Sequence, residues 1–255
     1  MIFMDKLLRH VDLCSGIGGF ALGFEWAGLS RPVMFCDIEE WSRQIVSKHW
    51  PDVPVATDVK ELASDPDRNV PDCEIITAGY PCQPWSVAGE RKGSSDNRHI
   101  WPYICEIVAQ KRPAWCVLEN VYGHISLGID EVLSNLECQG YAARAFVVPA
   151  CGVNAPHRRE RVFIVAHTDS PRSQGRVQGR QDTQREGKLG HSGRSCSVHR
   201  QPIERWWDTE PELGRVAHGI PNRTHRLRGL GNAIVPQIAM RIGQTIRAVE
   251  EQDGR

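Results

Sequence analysis

What most constrains this chain is the alternation in its first 167 residues. Short apolar, β-branched runs at 10–14, 32–37, 74–78, 114–118, 142–148 and 161–166 are separated by longer stretches of helical period at 20–27, 40–49, 99–111 and 129–138. A strand covered on both faces reads as a continuous apolar run, and a crossover helix between two such strands makes them parallel. The alternation therefore predicts a doubly wound, mainly parallel α/β sheet. The last two runs have no helix between them, so the sheet is expected to end in an antiparallel hairpin with a short turn.

After residue 167 the pattern stops. Residues 168–201 are dominated by Ser, Gly, Gln and Arg, with Val177, Leu189 and Val198 as almost the only large apolar side chains. Such a stretch buries too little to offset its ordering entropy and is expected to be a mobile basic loop. Trp206, Trp207 and several Pro and Gly follow, and a helix over 236–250 carries Ile238, Ile242, Ile246 and Val249 on one face. Formal charge is balanced at 31 basic and 31 acidic residues, yet residues 1–167 hold a surplus of five acidic and the remainder a surplus of five basic. Of the cations 25 are arginines, the side chain suited to bidentate contacts with phosphate and guanine. Three parts are expected: 1–167, a short basic region at 168–225, and a closing segment at 226–255.

The nine cysteines show no Cys-x-x-Cys spacing and no zinc-type His pattern, so neither a metal site nor a disulfide framework is expected. The sequence has no apolar run of membrane-spanning length and no basic-then-apolar start, which leads to the expectation of a cytoplasmic protein of a reducing compartment.

Four segments carry chemistry. Asp12-Leu-Cys14-Ser-Gly16-Ile-Gly18-Gly19 runs from the end of a strand into a helix, where glycines let the backbone approach a ligand above the strand ends. Asp37 ends the next strand, as a ribose-binding carboxylate would; a nicotinamide dinucleotide and S-adenosyl-L-methionine both fit this much. Gly79-Tyr80-Pro81-Cys82-Gln83-Pro84-Trp85-Ser86 follows a buried strand, with two prolines stiffening the loop that presents Cys82, a candidate nucleophile. Leu118-Glu119-Asn120-Val121 closes another strand with a carboxyl desolvated enough to hold a proton. In the fourth segment, 155–161, Arg159 and Arg161 are separated by one residue, and a β period would turn both to one side.

In this order, and with Gly231-Asn232-Ala233-Ile-Val-Pro236, these segments resemble the DNA (cytosine-5)-methyltransferase family over residues 9–167 and about 226–250. The resemblance implies transfer of a methyl group from S-adenosyl-L-methionine to carbon 5 of a cytosine flipped out of double-stranded DNA. It assigns Cys82 the addition to carbon 6, Glu119 the hydrogen bond to N3 and the exocyclic amine, and Arg161, with Arg159, the base carbonyl and the orientation of that carboxylate. Gln83 and Ser86 would contact the flipped nucleotide. The cofactor would lie over Asp12, Cys14, Gly16, Gly18, Gly19, Asp37, Ile38, Asp58, Val59, Pro81 and Ile100, with Asn232 and Ala233 returning to support it. The family usually has an aromatic where this chain has Cys14, so that stacking on the adenine is missing or replaced. The interval 168–225 would hold a small, irregular recognition region whose arginines track phosphates. A monomer is expected, with a cognate restriction endonuclease as a functional partner. A tRNA cytosine-5 methyltransferase and a non-catalytic DNA-binding relative that needs a partner chain are the alternatives; a dinucleotide-dependent dehydrogenase would leave the Pro-Cys-Gln loop idle.

Overall fold

The computed structural model describes residues 7–81, 100–126, 128–155, 157–168 and 229–252, all within one compact unit. Cys82, Gln83, Ser86 and all but the first residue of the expected recognition region lie outside the described residues.

The predicted alternation yields strands β1 (Leu8–Leu13), β2 (Ser30–Cys36), β3 (Val55–Ala56), β4 (Ile75–Gly79), β5 (Trp115–Val121), β6 (Ala142–Pro149) and β7 (Glu160–His167). Helices α1 (Gly19–Trp26), α2 (Glu40–His49), α3 (Val59–Ser64), α4 (Pro66–Asn69), α5 (Trp101–Lys111), α6 (Ile129–Cys138) and α7 (Pro236–Gln252) cover the two faces. The strands form one sheet in the order β3-β2-β1-β4-β5-β7-β6, with β7 antiparallel to both of its neighbours and every other pairing parallel. This is the mainly parallel, doubly wound sheet with an antiparallel edge that the pattern predicts. The order reverses between β1 and β4, so their carboxyl ends flank the crevice where doubly wound sheets take ligands.

Period-two alternation sorts the side chains. Ile75, Val117 and Phe163 face α1 and α7, packing with Phe20, Phe24, Ile238 and Ile246. Ile76, Leu118 and Ile164 face the other way, packing with Leu62 of α3, Ile104 and Val108 of α5, and Val132 and Leu136 of α6. The approach of α7 to α1 is close enough to exclude a side chain at Gly23. A Cβ there would stand 2.4 Å from the Pro236 carbonyl oxygen and 2.5 Å from the Ala239 Cβ.

Three local departures from the sequence reading have physical causes. The β6–β7 connection is not a short turn: it spans 150–159, with a 3-10 turn at Ala150–Val153, and the Ala150 N–H donates to the Arg158 carbonyl (2.6 Å) to close it. Helices α3 and α4 were not foreseen, because six and four residues are too few to show a period; their first turns are capped by Asp58 and Asp65, whose carboxylates accept from the N–H of Lys60 and Arg68. Asp58 is thus the N-cap of α3. Finally, β5 continues through Val121, so Glu119 sits within the strand.

Candidate active site

The turn from β1 into α1 is held open by Asp37, just past β2. Its Oδ2 accepts from the Gly16 N–H (2.7 Å) and its Oδ1 from the Glu39 N–H (2.8 Å), while Gly18 takes the left-handed conformation (φ 83°) at the helix N-cap. Any side chain at Gly18 would also strike the Trp50 ring, 2.6 Å away. Each Asp37 oxygen keeps a lone pair after these bonds, and burial raises the carboxyl above its ordinary range.

Above this turn a cleft of about 390 Å³ crosses the carboxyl ends of β2, β1, β4 and β5. At the β2 side its wall includes Asp37, Ile38, Glu39, Trp41, Asp58 and Val59. Cys14, Gly16, Gly79, Tyr80, Pro81 and Ile100 line its middle. At the β5 side stand Glu119, Asn120 and Arg161, and the returning segment adds Gly229 and Asn232. Three strand spacings separate β2 from β5, so the cleft extends roughly 14 Å across the sheet. The sequence reading missed Cys36, Glu39, Trp41, Ser42, Gly79, Tyr80, Asn120, Val121 and Gly229 as wall residues. Gly79, Tyr80 and Asn120 lie within the segments that carry the chemistry, and that position was the signal that could have found them.

Glu119 and Arg161 meet across the β5–β7 pair, with Nε 3.0 Å from Oε1. Burial pushes the Glu119 carboxyl up to about 7, even though Arg161 and then Arg159 pull the other way. Arg159 does not lie in β7. It has φ 34°, and its guanidinium donates to the carbonyls of Gly231 (2.5 Å) and Ala233 (2.7 Å), so it ties the returning segment to the site. The β-period argument for Arg159 and Arg161 therefore fails, and charge proximity to Glu119 is what links them.

Four other nominated residues stand behind the wall. Gly19 packs against the backbone of Ile234, which a Cβ would approach to 2.6 Å. Gly18 lies under Trp50, and Ala233 is held through its carbonyl. Asp12 is fully buried: Thr77 Oγ1 donates to its Oδ1 (2.6 Å), and His10 Nε2 lies 2.7 Å from the same hydroxyl. Burial raises Asp12 to about 7 and lowers His10 to about 3, so His10 is neutral at pH 7.

The donor set discriminates between the two cofactors left open by the sequence. Asp37, Glu39, Asp58 and Glu119 face the cleft, against the single cation Arg161 among its described lining. That lining repels a pyrophosphate and suits a ligand with a sulfonium and an ammonium. The Nδ2 of Asn120, a residue of the cleft wall, is buried without a hydrogen-bond partner among the described residues. No metal-holding cluster and no helix long and apolar enough to cross a membrane occur among the described residues.

Comparison with known proteins agrees with this geometry. The family model for C-5 cytosine-specific DNA methylase matches residues 8–198. The type II methyltransferase M2.BsuMI of Bacillus subtilis is 31% identical over 168 residues, which cover 62% of this chain and 42% of that protein. The type II methyltransferase M.NgoBI of Neisseria gonorrhoeae is 33% identical over 169 residues, 64% of this chain and 52% of that one. The chain thus spans about half the length of these relatives or less. Among solved structures, the S. pombe Dnmt2 methyltransferase superposes with a TM-score of 0.56 at 26% identity, over 67% of this chain and 53% of that one. A Spodoptera frugiperda DNMT2 variant gives 0.55 at 21% identity over 63% and 50%, which speaks for the fold alone.

Proposed function

The chain belongs to the C-5 cytosine-specific DNA methylase family, and from that premise we propose that it methylates carbon 5 of cytosine in double-stranded DNA with S-adenosyl-L-methionine as methyl donor. The observation that carries the proposal is one cleft holding both halves of the chemistry. Asp37 and the Gly16 turn lie at one end, and at the other the Glu119–Arg161 pair faces the wall to which Pro81, the residue before Cys82, contributes.

When bound, S-adenosyl-L-methionine supplies an electrophilic methyl group. Asp37, with free lone pairs on both oxygens, would hold the ribose hydroxyls; Asp58 and Val59 would border the nucleobase, and Gly16, with no neighbour crowding its Cβ position, would leave room for close backbone approach. On the substrate, the Cys82 thiolate adds to carbon 6, which makes carbon 5 nucleophilic. Glu119, with a pKa near 7, carries a proton at neutral pH often enough to donate to N3, while its other oxygen accepts from the exocyclic amine. Arg161 holds the base carbonyl and keeps the glutamate oriented. Loss of the carbon 5 proton and elimination of Cys82 complete the cycle.

The test is transfer of a labelled methyl group into unmethylated duplex DNA, with tRNA as a parallel substrate and Cys82→Ser as control. Label in DNA that vanishes in Cys82→Ser, with folding and cofactor binding intact, is the expected result. Undiminished transfer by Cys82→Ser overturns the covalent route, and label confined to tRNA overturns the DNA substrate.

A further inference from the structure

Resting on the cofactor reading above, we propose that Trp41 is the stacking surface for the adenine of S-adenosyl-L-methionine, its indole held edge-on by the bare backbone of Gly229.

Apart from Trp26, which is exposed, the described tryptophans divide by what their rings do. Trp50, Trp101 and Trp115 each commit the indole N–H to a partner, on Glu25 (2.8 Å), Asn135 (2.9 Å) and Glu250 (2.8 Å), and each packs against another ring. These are framework residues. Trp41 makes no such hydrogen bond or ring contact among the described residues, is half-buried, and lines the cleft. Tyr80, the other aromatic of that wall, is committed: it is buried, its hydroxyl lies 3.0 Å from His124 Nε2, and its ring packs on Trp101. Trp41 is therefore the wall aromatic with π surface to offer.

Position decides which part of a ligand it meets. Trp41 stands at the second position of α2, beside the Asp37 end of the cleft and three strands from Glu119. A group stacked on it lies next to the carboxylates suited to a ribose, not beside the pair assigned to the target base. Cys14, in the neighbouring turn, lines the same cleft but has no π face to offer.

Gly229 fixes the ring. A Cβ at 229 would stand 2.0 Å from Cζ3, 2.8 Å from Cη2 and 3.0 Å from Cε3 of Trp41. Those three atoms are consecutive on the benzo edge, so the glycine abuts the edge and leaves the faces uncovered by it. The same returning segment brings Asn232 to the cleft and is tied down by Arg159. Docking of this segment and the position of the stacking wall are thus sterically coupled.

Equilibrium binding of S-adenosyl-L-methionine, and of 5′-methylthioadenosine, which keeps the adenosine half alone, tests this on the full chain by calorimetry. Replacements Trp41→Phe and Trp41→Leu both fill the site with apolar volume, but only Phe has a π face. Base–aromatic stacking gives an expected loss of about 5- to 150-fold for Trp41→Leu with both ligands, against a few-fold for Trp41→Phe. Gly229→Val, which drives the ring aside, is expected to resemble Trp41→Leu. Equal affinities for Phe and Leu variants, or a Leu variant that binds like the wild type, overturn the stacking role while leaving the cofactor reading in place. A wild-type chain that binds neither ligand overturns both.

Discussion

Replacing Arg161 by Gln removes the guanidinium 3.0 Å from Glu119 while keeping a polar side chain on β7. Glu119 is the informative reporter because two large effects oppose each other on it: burial raises the carboxyl from 4.5 to about 7, and Arg161 is the strongest influence in the other direction. An opposite charge at this range lowers a carboxyl by roughly one to three units, so its loss is expected to raise Glu119 further above 7. Arg159 remains nearby and keeps the shift from the top of that range. The same displacement has a stability signature. A carboxyl whose folded pKa lies above the unfolded one favours folding fully below about 4.5, and that contribution is lost as pH rises through about 7. At ~1.4 kcal/mol per unit the loss comes to roughly 3 kcal/mol. In Arg161→Gln it continues into the alkaline range, so the variant falls furthest below the wild type above pH 7. The assay is a titration of the glutamate δ-carbon by ¹³C NMR, identified by its absence in Glu119→Gln, beside urea unfolding at pH 5 and pH 8. A Glu119 midpoint that stays put or moves down in Arg161→Gln refutes the assignment of opposed burial and charge.

Asp12 provides an independent case in the framework. Burial raises it from 3.8 to about 7, so its contribution to folding is present below about 4 and lost as pH rises through about 7, worth roughly 4 kcal/mol. Asp12→Asn, which cannot ionise, is expected to flatten that decline in urea unfolding between pH 5 and pH 8; an unchanged slope counts against a buried, titrating Asp12. Gly23→Ala places a Cβ 2.4 Å from the Pro236 carbonyl, and backbone cannot rotate away as a side chain can. The overpacking cost of about 1–3 kcal/mol exceeds the ~1 kcal/mol helix-propensity gain of alanine, so a lower thermal midpoint is expected. A rise in that midpoint would show that α7 does not dock on α1 as described.

How far the sequence could be read depended on how many residues each feature uses. Strand β5 was legible because it is covered on both faces and opens on an unbroken apolar run, Trp115–Leu118, and in β4 the adjacent Ile75 and Ile76 serve opposite cores; β1 is interrupted by the buried His10 and Asp12. Helices α3 and α4 left no period to find, and their marks are the capping aspartates Asp58 and Asp65. Glu119 and Arg161 were legible as a pair of chemistries, but their meeting depends on the antiparallel β5–β7 register, which pairs Val121 with Arg161. Arg159 was misread for the opposite reason: a φ of 34° takes it off the strand, and no local sequence signal announced that its partners would be carbonyls some seventy residues away.

The returning segment explains why the chain needs residues past 228 at all. Sheet and helices through β7 already form the floor of the cleft, but the α1 face of Phe20 and Phe24 lacks a cover until Ile238 and Ile246 arrive. Burial of α7 on that face supplies the stabilisation, and the glycine at 23 lets the helices approach closely enough for it. Once α7 is seated, its preceding residues have little freedom left. Gly19 meets Ile234, Arg159 grips the carbonyls of Gly231 and Ala233, and Asn232 and Gly229 reach the cleft wall. A packing interaction on one face of the sheet thereby sets the geometry of a binding wall at its edge. Destabilising α7 should therefore weaken cofactor binding before it unfolds the sheet, which separates a docking defect from global loss of structure.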